Sequence, residues 1–200
     1  MGGMIAQIVA ARFPYAVRSL TSIMSSSGDR RLPKGRADVL KLMLSPARQP
    51  SVQQQVDHSQ QLLELIASPG YPTPREQLRA QIEQDLQRNT PAAGGIERQL
   101  AAILASGSRV ALLSQIRART LVLHGLEDPL IPFQAGRSSA EHIPNATFEG
   151  IAGMGHDLPA ALLPKLAARL LKHFAQAERA ERPLLALVTA SQDLTDNKTN

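Results

Sequence analysis

Two short segments of the 200-residue chain carry side chains that could do acid–base chemistry. Asp128 lies in "HGLEDPLIP" and His156 lies in "GMGHDLP". The acid follows a compact apolar run, "RTLVLHG", and the histidine follows "NATFEGIAG", which reads as a second short strand. In an open parallel sheet, ligands and reactive groups collect beyond the carboxyl ends of the strands. An acid on one strand end and a histidine on the next can meet there. The carboxylate would accept the proton on one imidazole nitrogen, fix the tautomer and stabilise the imidazolium. The other nitrogen would face a nucleophile.

The remaining titratable residues have plainer readings. Glu127 is a solvated neighbour of Asp128 and the fallback acid. Asp157 is placed to cap the helix that follows it. His124 closes a strand and is expected to be a packed or hydrogen-bonded core residue. His58, His142 and His173 fall on helical faces or in loops and are expected to be exposed. Their spacing matches no metal-ligand set, so no metal is expected. The serines at 25–27 end a strand and read as the start of a loop rather than as a nucleophile.

The elements that must position Asp128 and His156 follow from periodicity. Residues 3–12 read as a helix stopped by Pro14, with Met4, Ile5, Ile8 and Val9 at helical spacing. "AVRSLTSIMSSSG" reads as a buried strand and a loop. Residues 29–116 change character, with Gln-rich polar segments carrying Leu and Ile three and four apart. Four helices are predicted there: "ADVLKLMLS", closed by Pro46; "SVQQQVDHSQQLLELIAS", with Ser51 as N-cap; "PREQLRAQIEQDLQRN", with Pro74 in its first turn; and "GGIERQLAAILAS". After the two strands already named come a helix within "PLIPFQAGRSSAEHI" and a long amphipathic helix over 157–180. Leu162, Leu163, Leu166, Leu170, Leu171 and Phe174 are its expected buried stripe. The last ten residues read as polar and disordered. Strands alternating with helices argue for an α/β fold with a parallel sheet.

Composition narrows the function. Apolar residues make up 43% of the chain and aromatics 3%, with no Trp, so the core is aliphatic. The net charge of +5 comes from scattered Arg and Lys, without the clustering and aromatic stacking residues that nucleic acid would require. With no Cys there is no disulfide framework, thiolate metal site or cysteine nucleophile. No apolar run approaches the ~20 residues of a membrane span. The start lacks a basic segment ahead of its apolar run, so the chain reads as cytoplasmic.

"HGLEDPLIP" followed by "GMGHDLP" resembles the acid and histidine loops of the α/β-hydrolase family. There the order along the chain is nucleophile, acid, histidine, with the nucleophile in a G-x-S-x-G turn between strand and helix. "MGGMIAQ" is similar to the second half of such an elbow. The resemblance implies that the chain begins one residue after the expected serine. The first five strands and one oxyanion-donor loop would then precede it. It also implies residue roles. Asp128 matches the triad acid and His156 the general base, then acid. Met1 matches the residue after the nucleophile, whose backbone N–H serves the oxyanion, and Gly2 and Gly3 match the elbow glycines. As written, Met1 carries an ammonium in place of that amide.

The implied fold is the last three strands of a parallel sheet with flanking helices and a helical cap. Residues 1–28 would be the elbow helix and sixth strand, 29–116 the cap, 117–176 the acid and histidine strands with the final helix, and 177–200 a tail. The implied activity is hydrolysis of an apolar small-molecule ester by an esterase-type serine hydrolase without cofactor. As a fragment without its nucleophile the chain would be inactive. Antibiotic methylesterases are the subgroup it resembles, with prolyl aminopeptidases and cofactor-free haloperoxidases as relatives. Two alternatives stand beside this reading. One is a non-catalytic remnant or binding module. The other is haloperoxidase-like or dehalogenase-like chemistry on the same framework; a dehalogenase would carry Asp at the elbow position, which is not in this chain.

Overall fold

A computed structural model describes residues 1–45, 51–88 and 94–196, with side chains described through residue 180. Three strands form one parallel sheet in the order β1 (Ser19–Ile23), β2 (Arg119–Gly125) and β3 (Ala146–Ile151). Ser19 pairs with Arg119 and Thr120 with Ala146, so the carboxyl ends of all three strands share one edge. β2 is central, and every residue after Arg119 in it is buried. This burial on both faces explains its unbroken apolar run.

Helix α1 (Gly2–Arg12) precedes β1. It packs on one sheet face, where Ala10, Ala11, Leu20, Leu113, Ile116, Ala118 and Ile143 form a core. Between β1 and β2 the described elements are all helical: α2 (Ala37–Met43), α3 (Val52–Ile66), α4 (Arg75–Arg88), α5 (Gly95–Ser106) and α6 (Val110–Leu113). The predicted cap of α3 forms as a full capping box. Ser51 Oγ accepts the N–H of Gln54, and the Gln54 side chain accepts the N–H of Ser51. This satisfies two of the donors a helix start leaves unpaired. Pro46, the expected stop of α2, lies outside the described residues. Leu113 and Ile116 belong to the core against α1.

Helix α7 (Phe133–His142) joins β2 to β3. A 3-10 turn (Ala160–Leu162) then leads into α8 (Leu163–Asp196), which covers the other sheet face. There Leu121, Leu123, Ile151, Met154, Leu162 and Leu166 form a second core. The α8 stripe differs from the expected one. Leu163, Leu171 and Phe174 are exposed at 47%, 68% and 43%, and the buried row is Leu162, Leu166, His173 and Ala177 with Leu170 half-buried. Steps of three and four select one narrow seam, and the other leucines lie off it. His173, expected to be exposed, is buried in that seam and donates its Nε2–H to the Leu20 carbonyl at 3.1 Å. Burial pushes its pKa down.

The segment expected as a tail from residue 177 continues as helix to Asp196. It is rich in Ala, Leu, Glu and Arg, which favour helix. Residues 197–200 lie outside the described set. On α1, Met1, Ile5, Val9 and Phe13 form an apolar row four residues apart, and all are exposed. No helix among the described residues is long and apolar enough to cross a membrane.

Candidate functional site

Asp128 follows β2 directly and His156 follows β3, at the same sheet edge. The loop "GLEDPLI" folds back on the carboxylate. One oxygen, Oδ1, accepts the backbone N–H groups of Leu130 at 2.9 Å and Ile131 at 2.8 Å. The other, Oδ2, accepts Nδ1–H of His156 at 2.7 Å. The side chain of Asp128 is fully buried, whereas 21% of the His156 side chain is open. The bond to Asp128 leaves Nε2 of His156 as the nitrogen available to a reactant.

Burial acts to raise the Asp128 pKa, but the bonds from His124 and His156 and from the Ile131 amide outweigh it. The group falls to about 2 from an ordinary value of 3.8. It is therefore a carboxylate at neutral pH and an acceptor only.

His124 is more closely involved than a packed core residue. It is fully buried, and its Nε2 lies 2.8 Å from the Ile131 carbonyl and 3.4 Å from Oδ2 of Asp128. A carbonyl can only accept, so Nε2 carries the proton. His124 and Asp128 are four residues apart across a strand end, a spacing that does not by itself identify a contact.

Glu127 is not bonded to His156. Its carboxylate accepts the N–H of Gly153 at 2.7 Å and so braces the histidine loop. Asp157 does not cap α8. Its carboxylate accepts a hydrogen bond from the hydroxyl of Ser68, 89 positions away at the end of α3. Residues 25–27 lie in the loop after β1, as expected, and this loop receives a buried cation. Arg109 is 2% exposed and donates from Nη2 to the Ser26 carbonyl at 3.1 Å. Its Nη1 donates to Ser106 Oγ at 2.7 Å and to the Gly107 carbonyl at 3.2 Å. The Arg109 N–H donates to the Ser27 carbonyl at 2.8 Å. Both ends of the insertion thus meet on one guanidinium, whose pKa burial pushes down. Nothing in the sequence pattern marks Arg109 as buried.

The start of α1 lies beside the carboxyl end of β1. A Cβ on Gly3 would stand 2.6 Å from Ser25 Cβ and 3.3 Å from Ser22 Oγ, whereas one on Gly2 would meet nothing within 4 Å. Only Gly3 is required by close helix–strand approach. His58 and His142 are half-buried; Nδ1 of His142 bonds the Ser138 carbonyl at 2.7 Å.

The fold has many relatives among solved structures. A meta-cleavage product hydrolase from Pseudomonas fluorescens IP01 superposes with a TM-score of 0.65 at 17% identity, covering 88% of this chain and 62% of that one. A 2-hydroxy-6-oxo-6-phenylhexa-2,4-dienoate hydrolase from Rhodococcus sp. strain RHA1 gives 0.66 at 16% identity, over 88% and 61%. A Mycobacterium tuberculosis protein proposed to be a non-heme bromoperoxidase gives 0.65 at 20% identity, over 88% and 64%. This chain spans about three fifths of the length of these structures. A family model described as the alpha/beta hydrolase fold matches residues 1–159. Parallel β1–β3 with flanking helices, the structural neighbours and the family match lead to one assignment: the chain belongs to the α/β-hydrolase fold family.

Proposed function

We propose that this chain carries the acid and histidine of a serine-type acyl hydrolase that acts on an apolar small-molecule ester. The 2.7 Å bond from His156 Nδ1 to a buried, ionised Asp128 is the observation that supports it most. The nucleophile would be a serine immediately before Met1 in a longer protein. Three features support further chain around α1 and β1: the apolar row Met1, Ile5, Val9 and Phe13 is exposed, and among the described residues β1 pairs only with β2 and the buried Gln7 amide has no hydrogen-bond partner.

This reading implies the following chemistry. The serine Oγ attacks the acyl carbon while its proton passes to Nε2 of His156. Asp128 holds the resulting imidazolium through Nδ1–H. The same proton then goes to the departing alkoxide, leaving an acyl-enzyme. Water, deprotonated by Nε2, cleaves the acyl group as a carboxylic acid and restores the serine. The N–H of Met1, an amide in the longer protein, would donate to the oxyanion at the start of α1. Gly3 lets that helix approach the sheet closely enough to aim it. The helices of the insertion would form a cap whose apolar residues line the acyl pocket. By this reading residues 1–200 alone do not turn over an ester. The test is turnover of a chromogenic ester by the protein extended upstream through the serine, compared with its Asp128→Asn and His156→Ala forms.

A further inference from the structure

Ser68 directly follows the C-cap of α3, inside the insertion, yet it is 1% exposed and bonded to the histidine loop. Its Oγ accepts the N–H of Gly155 at 2.9 Å. The same hydroxyl donates to the carboxylate of Asp157. One side chain therefore ties the residues immediately before and after His156. A bond from a hydroxyl to a carboxylate is of the stronger, charge-assisted kind.

Two backbone bonds flank this contact. The N–H of His156 donates to the Ile66 carbonyl at 2.7 Å, and the N–H of Gly70 donates to the Gly153 carbonyl at 2.8 Å. Ile66 ends α3, and the last carbonyls of a helix have no partner within it. The amide of His156 supplies one. The fit is close, since a Cβ at Gly155 would lie 2.4 Å from the Ile66 oxygen. On its other side the loop is held by the acid loop, through Glu127 N–H to the Met154 carbonyl at 3.1 Å and Gly153 N–H to the Glu127 carboxylate at 2.7 Å.

We infer that Ser68 is a positioning residue for His156, fixing the backbone on both sides of it so that Nδ1 stays aligned with Asp128. This rests on the acid–base reading of the pair. Ser68 touches no reacting atom and acts only through the histidine loop. The insertion is then part of what aims the imidazole, and any motion that frees residues 66–70 from that loop loosens the pair.

The test is proton NMR on the 200-residue chain. A histidine Nδ1 proton held by a buried carboxylate resonates far downfield, and it is assigned here by its loss in Asp128→Asn. In Ser68→Ala this proton is expected to exchange with water on the order of tenfold faster, as loss of a hydrogen bond to a charged group implies. Asp157→Asn keeps the shape but removes the charge, and an intermediate acceleration is expected. Unchanged exchange in Ser68→Ala overturns the positioning role. Should that variant not fold, unchanged exchange in Asp157→Asn overturns it instead. If the unsubstituted chain shows no such resonance sensitive to Asp128→Asn, the pairing itself fails and the positioning role with it.

Discussion

Asp128 accepts Nδ1–H of His156 at 2.7 Å across 28 positions of sequence. Two amides of the acid's own loop hold its other oxygen. The carboxylate is thus bound on both oxygens; burial acts against its charge, but the hydrogen bonds from His124 and His156 and from the Ile131 amide outweigh it.

This has a direct consequence for acid stability. The folded carboxyl titrates at about 2 and an unperturbed one at 3.8, so the unfolded chain takes up the proton first. The stabilisation is fully present above about pH 4 and is lost as the pH falls toward 2. A depression of this size corresponds to about 2 kcal/mol. Urea unfolding at pH 5, 4 and 3 should show the wild-type chain losing about half of this increment by pH 3. The Asp128→Asn chain should be less stable at pH 5 and should lack that part of the slope.

The two glycines at the start should behave differently. Gly3→Ala places a methyl 2.6 Å from Ser25 Cβ, so the start of α1 and the loop after β1 must move apart. Overpacking of this kind typically costs about 1–3 kcal/mol. Gly2→Ala meets nothing within 4 Å and replaces a poor helix former, so stability should hold or rise. Paired denaturant melts distinguish the two.

Arg109 should control how firmly the helical insertion is rooted. Its guanidinium joins Ser26 at one end of the insertion to Ser106 and Gly107 at the other. Arg109→Ala loses three charge-assisted bonds and also relieves a buried cation. The net cost expected is about 2 kcal/mol. Limited proteolysis should show early cuts within residues 29–108 while fragments of the sheet persist. Unchanged cleavage would remove Arg109 from this role.

The parts legible in the sequence are those set by local pattern. β2 is a compact apolar run and β3 a short strand, each followed by a polar loop, and the α3 start carries its capping box in four consecutive residues. Asp128 and His156 were visible because each stands just beyond such a strand. Contacts made between distant segments were not visible. Ser68 meets Gly155 and Asp157 across 87 and 89 positions, so Asp157 reads from sequence as a helix cap. His173 looks like one more polar residue on an amphipathic helix. Only the narrow seam that α8 presents to the sheet, with a free carbonyl at Leu20, makes it a core residue. The burial of Arg109 likewise depends on two chain ends meeting, which no periodicity records.

Asp128 and His156 are proposed as the acid–base pair of an ester hydrolase. The most direct measurement is kcat for a p-nitrophenyl ester by the protein extended upstream through Gly-Xaa-Ser, against its Asp128→Asn form. Removing the acid that holds the imidazole tautomer should lower kcat by on the order of 10³-fold or more while the fold survives. A variant that keeps kcat within tenfold of the unsubstituted protein would contradict the assignment.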